Sequence, residues 1–190
     1  MNHLNNLTDV EKFISTTDLT TLKRDELLEL NLITDELKRR KLQGECRENF
    51  LTFVRTMWSS FIEGAHHRIM CEQFNKIAKG ELKRVIINMA PRHSKSEMSS
   101  YMLPSWLLGI RPDLKIIQAT HTGELAVRFG RKVRDLVDTR EYKEIFPNVS
   151  LRADSKAAGR WETTEGGEYF ASGVGGAITG RGADILIIDD

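Results

Sequence analysis

The sequence predicts an α/β chain: a three-layer domain with a mostly parallel central sheet, preceded by an N-terminal helical arm. Two observations carry that expectation. After Gly80, short apolar runs alternate with helical patterns, Arg84–Met89 and Leu114–Ala119 each leading through a polar loop into a helix, and β–α alternation implies parallel strands joined by crossover helices. A last aliphatic run, Ile185–Ile188, ends on the acidic pair Asp189-Asp190, as a buried strand does when its carboxyl end opens into a site.

The elements follow in chain order. From Asp18 to about Leu42, Leu22, Leu27, Leu30, Ile33 and Leu37 recur at near-helical spacing among alternating charges, without Gly or Pro, which predicts an amphipathic helix. A boundary falls near residue 45, separating a helical arm (1–45) from the main domain (46–190), where aromatic and aliphatic density rises to that of a core. Phe50–Ile62 reads as a helix, Gly64-Ala65-His66-His67 as a break, and Ile69–Ile77 as a second helix closed by Gly80. Arg84–Met89 is the first expected strand, followed by a loop and a helix to Leu108. The Leu114–Ala119 strand leads through Thr120–Gly123 into a helix marked by Leu125, Phe129, Val133 and Val137. Trp161–Thr164 and Glu168–Ala171, on either side of Gly166-Gly167, predict a hairpin. Eight of the 14 glycines lie between Gly159 and Gly182, which marks loops ahead of the final strand.

Composition excludes several classes. The 190 residues, 40% hydrophobic and 29% charged, suffice for one substantial core. Lys+Arg 28 against Asp+Glu 27 leaves a formal charge of +1, so neither a globally basic nucleic-acid coat nor an acidic disordered tail is expected. The most apolar stretch, Tyr101–Ile110, is too short for a membrane span, and Met1–Phe13 has no apolar signal core; the expected location is the cytoplasm. Cys46 and Cys71, with no CxxC pair, predict neither a disulfide framework nor a structural zinc site.

The chemistry concentrates in Ala90-Pro91-Arg92-His93-Ser94-Lys95-Ser96. A loop between a strand and a helix start offers backbone N–H groups and a helix dipole to phosphate oxygens. Lys95 would bridge the terminal phosphates of a nucleotide and Ser96 would ligate Mg²⁺ through its hydroxyl, so Lys-Ser entering a helix is the pair that Mg-ATP requires. Pro91, Arg92, His93 and Ser94 complete the cofactor-binding loop. Two glycines usual in such a Walker A loop are missing, because Met89 and Ser94 stand in their places; Ser94 is small enough to take a strained turn at modest cost. At the far end, Asp189 suits a metal ligand and Asp190 a carboxylate that orients the attacking water. An exposed Lys in a polar loop and a strand with a solvated end are the plain readings of the same residues.

In the combination of Gly64-Ala65-His66-His67, the Arg84–Ser96 block and the Thr179–Asp190 run, the chain resembles the N-terminal ATPase region of tailed-phage terminase large subunits, over most of Phe50–Asp190. The resemblance implies a P-loop NTPase fold and Mg²⁺-dependent ATP hydrolysis that drives double-stranded DNA into a procapsid. It further implies a homo-oligomeric ring, a small terminase subunit and portal as partners, no membrane, and action in the host cytoplasm. Asp190 departs from the family's usual Glu by one methylene. The family's coupling motif and nuclease domain would lie beyond residue 190, so the ATPase domain reads as truncated after the Walker B strand. By resemblance, Arg181 lies where a neighbour's arginine finger is supplied, and Arg92 matches a loop arginine acting within its own subunit; a surface loop cation is the alternative for Arg181. Gln73 is either an adenine contact or a solvated helix residue. His66 and His67 read as loop packing, and the Arg128, Arg131, Lys132 stripe as a solvated face or a DNA-phosphate contact. Two alternatives to the packaging motor stand: a helicase-like nucleic-acid-dependent ATPase, and a non-catalytic fragment that only binds partner subunits.

Overall fold

The structure, a computed structural model, describes residues 4–176 and 178–189. The chain divides into two compact units, Met1–Glu45 and Cys46–Asp190.

In the first unit, helix α1 (Leu7–Thr16) starts where the Asn6 side chain accepts the Asp9 N–H at 2.9 Å, satisfying one of the donors that a helix start leaves open. A 3₁₀ turn (Leu19–Thr21), capped by Asp18, leads to α2 (Arg24–Glu48). Val10 and Leu30 are buried together, with Phe13, Leu22, Ile33 and Leu37 packed around them. The apolar spacing predicted the long helix; α1 has no counterpart among the expected elements.

In the second unit α3 (Phe50–Met57) and α4 (Ala65–Ala78) flank the expected break. Asn49 caps α3 by accepting the Thr52 N–H, and Asn75 of α4 accepts the Phe50 N–H at 2.9 Å, which pins the two helices together. After the loop at 91–94 the chain makes a helical turn that widens to a π-helix over Glu97–Met102 and tightens into α5 (Leu103–Ile110). Strand β1 (Lys115–Thr120), α6 (Gly123–Val137), α7 (Arg140–Ile145), β2 (Leu151–Ala157), β3 (Arg160–Thr163), β4 (Glu168–Gly173) and β5 (Ile185–Asp189) follow.

The five strands form one sheet in the order β2-β3-β4-β1-β5. β1 runs parallel to β4 and to β5, whereas β2–β3 and β3–β4 are antiparallel. The sheet is therefore mixed, and the expected three-layer P-loop NTPase with a mostly parallel sheet is not what the chain forms. Two physical reasons account for the difference. Arg84–Met89, expected as the first strand, is no strand: an apolar run becomes one only by exchanging main-chain hydrogen bonds with a neighbour, and this segment stands across a cavity from β5 without pairing to it or to any other described residue. Conversely, the polar segment Leu151–Ala157 joins by antiparallel register, Lys156 opposite Trp161, next to the hairpin.

The hairpin itself forms, with Trp161 opposite Tyr169 and Gly166 at φ 90° in its turn. The two rings stack at 5.1 Å, 3° from parallel, and both side chains are fully buried. Trp161 Nε1 donates to the Gly130 carbonyl at 3.1 Å and the Tyr169 hydroxyl to Gln118 Oε1 at 3.0 Å, so these large amphipathic rings are satisfied as well as buried. Gly130 is what lets α6 approach: a Cβ there would stand 2.5 Å from the Ala158 carbonyl oxygen.

β5 forms one border of the sheet. Ile187 and Asp189 point inward, 8% and 6% exposed, while Leu186 and Ile188 are 57% and 78% exposed. Across from β5, the unpaired Val85–Asn88 segment lines a cavity of about 460 Å³ together with Ile185–Asp189, Phe74, Ile77, Lys95, Ser99 and Leu103.

Candidate functional site

The site is built where the 91–94 loop enters its helix beside the end of β5. Arg92 and Ser94 both have φ 64°, a left-handed conformation that costs a residue with a Cβ roughly 1–2 kcal/mol. His93, between them, lies outside that region. A backbone that changes hand over successive residues curves its N–H groups into a concave, anion-attracting nest, and strain of this kind persists only where the surroundings enforce it. Ser94 thus takes the turn that a glycine usually takes in a phosphate loop.

Several contacts enforce the shape. His93 Nδ1–H donates to the Pro91 carbonyl at 2.8 Å. The Met98 N–H donates to the Ser94 carbonyl at 2.9 Å, and the Ser99 hydroxyl to the Lys95 carbonyl at 2.9 Å. On the side of α4, the His67 ring lies beside the His93 backbone, which favours the charged form of the ring.

Lys95, Ser99 and Asp189 line the same cavity. Asp189 accepts the Ser100 hydroxyl at 2.8 Å through Oδ2, and Ser100 is completely buried. This partner was not foreseen from the sequence, which marked Ser96; Ser100 lies four residues further, and the i, i+4 spacing of Ser96 and Ser100 was the signal available. The π-helical turn at 97–102 contains Ser100, in keeping with the tendency of such bulges to occur at functional sites. It is tethered to α6 by Lys132, whose ammonium reaches both Glu97 carboxylate oxygens at 2.8 and 2.6 Å and lies 4.6 Å from the centre of the Tyr101 ring.

A buried carboxylate is costly unless it is paired or coordinates a cation. Among the described residues Asp189 is hydrogen-bonded to the Ser100 hydroxyl alone. No group of three or more His, Cys, Asp or Glu residues capable of holding a metal is found among them. One carboxylate nevertheless fits Mg²⁺, which binds through one or two protein oxygens and takes its other ligands from phosphate and water; Ser96, unlike Lys95 and Ser99, is not on the cavity wall.

The other expected site residues are placed as follows. Pro91, Arg92 and His93 are exposed on the loop, and Ser96 is half-buried at the helix start. Gln73 is half-buried on α4 and is not on the cavity wall, although its neighbour Phe74 is. Asp190 lies outside the described residues. Arg181 is half-buried rather than freely exposed: it donates to Glu168 Oε1 at 2.9 Å and its guanidinium lies 4.0 Å from the centre of the Phe170 ring. Glu168 pairs with Lys115, the first residue of β1, whereas Asp189 pairs with Thr120, the last. Arg181 and Asp189 therefore sit at opposite ends of the parallel strands. Of the basic stripe, Arg128 and Arg131 are exposed while Lys132 is committed to Glu97.

His66 and His67 pack as expected, but against the loop. Their rings are 3.9 Å apart and His66 meets the His93 ring at 5.5 Å. Burial, with His66 next, pushes the His67 pKa below its usual value. Among the described residues no helix is long and apolar enough to cross a membrane. Comparison of the chain with family models, with curated proteins and with solved structures finds no match in any of the three.

Proposed function

We propose that the chain binds ATP with Mg²⁺ at the 91–96 loop and hydrolyses its terminal phosphate. The observation that carries the reading is the doubly left-handed loop running into Lys95-Ser96, with the buried Asp189 carboxylate on the same cavity as Lys95. Curved backbone N–H groups and the Lys95 ammonium hold phosphate oxygens, and Arg92 adds a cation at the loop surface. Mg²⁺, when bound, supplies charge neutralisation to the transferring phosphoryl group. Ser96 and Asp189 would hold it, with Ser100 fixing the Asp189 carboxylate by its hydroxyl. Asp190 is proposed as the carboxylate that orients the attacking water.

The wider setting comes from the sequence resemblance alone: the ATPase part of a terminase-type motor that packages double-stranded DNA. On that reading its partners are further copies in a ring, a small terminase subunit and a portal, in the host cytoplasm.

Titration with Mg-ATP, paired with a steady-state phosphate-release assay, tests the reading. Lys95→Ala removes a charge-assisted contact, a loss of about 1.5–3 kcal/mol, which corresponds to roughly 10- to 150-fold weaker binding. Unchanged affinity and turnover in Lys95→Ala would sink the assignment of this loop.

A further inference from the structure

We propose that helix α2 is a docking surface for a second copy of this chain: two such helices pair antiparallel about a twofold axis level with residue 37, with Leu32 of each against Leu42 of the other and Asp35 of each against Arg39 of the other. This goes beyond the nucleotide reading and does not depend on it.

Helix α2 carries apolar residues on two opposite sides. Leu30 is 5% exposed and packs with Leu4 and Val10 in the small core of the first unit, whereas Leu28, Leu32 and Leu42 are 53%, 71% and 43% exposed. Residues two apart on a helix point about 200° away from each other, so Leu28 faces water because Leu30 faces the core. The exposed leucines are in register. Leu28, Leu32, Asp35, Arg39 and Leu42 follow one another at steps of 4, 3, 4 and 3, the spacing that keeps side chains on one seam over two heptads, and all five are exposed. Beside Leu32, an open groove of about 360 Å³ with Leu4, Ile33 and Leu37 on its walls adds apolar area to that side. The size of the unit favours a partner as well: Met1–Glu45 is near the length below which folded units commonly draw on association for stability.

Charge decides which partner. Between residues 25 and 36 the helix carries Asp25, Glu26, Glu29, Asp35 and Glu36 and no base, and Lys38, Arg39, Arg40 and Lys41 then follow without a break. A helix with an acidic first half and a basic run after it complements itself only when the second copy runs the other way. The seam gives the same answer residue by residue. Parallel pairing sets each seam residue against its own counterpart, so that two Asp35 carboxylates meet and two Arg39 guanidiniums meet. Antiparallel pairing about residue 37 brings together positions equidistant from it, 35 with 39 and 32 with 42, and the twofold axis makes each contact twice. Within its own helix Glu36 is engaged by Arg39 and, at 2.7 Å, by Arg40, so it keeps a partner when Arg39 turns to the other copy. A twofold contact closes on itself and is therefore a different surface from the head-to-tail contact of a ring. Two heptads make a small interface, for which a dissociation constant between about 1 µM and 1 mM is expected.

Sedimentation equilibrium of the whole chain from about 10 to 500 µM tests the pairing. Expected is an average mass that rises with concentration from 21.7 kDa toward twice that value. Asp35→Arg and Arg39→Asp each set two like-charged pairs across the axis and should weaken the dimer at least about tenfold; both sites are exposed, and circular dichroism checks that the helix persists. The double variant Asp35→Arg/Arg39→Asp restores opposite charges in the antiparallel pairing and should return the dissociation constant to within about threefold of the parent. An equimolar mixture of the two single variants should associate equally well. A mass that stays at 21.7 kDa in the parent chain, single variants that associate as the parent does, or a double variant as weak as the single ones would each overturn the pairing. Association that Ile188→Lys abolishes would overturn it too, because the contact would then be the rim of β5.

Discussion

Replacing Asp189 with Asn separates the metal role of this carboxylate from its structural one. The side chain is 6% exposed and bonded to a fully buried hydroxyl. Asparagine keeps an acceptor for Ser100 but turns a charge-assisted hydrogen bond into a neutral one, a loss of about 1 kcal/mol. Relief from burying a charge offsets a similar amount, so the ligand-free variant should melt within about 3 °C of the parent, at 2–4 °C per kcal/mol for a chain of this size. The ligand-bound state differs sharply. At a concentration 100 times Kd, Mg-ATP stabilises the parent by about 2.7 kcal/mol, or roughly 5–11 °C. Thermal melts should be recorded without ligand, with ATP and a chelator, and with Mg-ATP. Asp189→Asn should retain whatever shift ATP gives alone and lose the increment that Mg²⁺ adds. An equal Mg²⁺ increment in both proteins would refute the assignment of Asp189 as the metal ligand, and unequal ligand-free melts beyond that range would refute the balance of terms above.

Three further outcomes follow from the geometry. Ser94→Gly removes the cost of a Cβ at φ 64° and should raise thermal stability by about 0.5–1 kcal/mol while leaving phosphate affinity intact, as read by melting and titration. Gly130→Ala drives a Cβ to 2.5 Å from the Ala158 carbonyl oxygen and should cost about 1–3 kcal/mol in denaturant unfolding; a neutral result would mean that α6 can shift freely on the sheet. Arg181→Ala loses a half-exposed pair with Glu168, worth at most about 1 kcal/mol, so a defect confined to assembled-ring turnover, rescued by mixing with Lys95→Ala subunits, is the signature of action across an interface. No rescue, with assembly confirmed, would leave Arg181 a brace for β4.

The sequence made the hairpin legible because its information is local: Gly166-Gly167 sets the turn, and Trp161 and Tyr169 fall opposite each other once it closes. Strand direction is not local. Ile117 reads as a buried strand residue whether its neighbours run with it or against it, and it is their order in the finished sheet that places β4 on one side of it and β5 on the other. Val85-Ile86-Ile87 looks more strand-like than Arg152-Ala153-Asp154, yet only the latter lies in a strand, because a strand is made by the partner it pairs with and apolarity alone does not supply one. In the site, the loop could be read from Lys95-Ser96 and the strained turn from Ser94, since both depend on the needs of adjacent residues. The residue type of Arg92 does not announce its left-handed backbone, and no periodicity in 97–102 announces the widened helical turn that carries Ser100; its spacing from Ser96 was the one hint of a partner for Asp189.

The border strand β5 has a consequence for how the chain behaves in solution. Among the described residues nothing pairs with its outer rim, where Leu186 and Ile188 are exposed and Ile86 is at 87% on the facing segment. Within Ile185–Ile188 there is no Lys, Pro or bulge of the kind that keeps such rims from zipping to another molecule. At rising concentration, this rim is therefore where intermolecular strand pairing would nucleate first, and Ile188, which faces water, is the position where a lysine would do most to keep the protein monodisperse at little cost to its core.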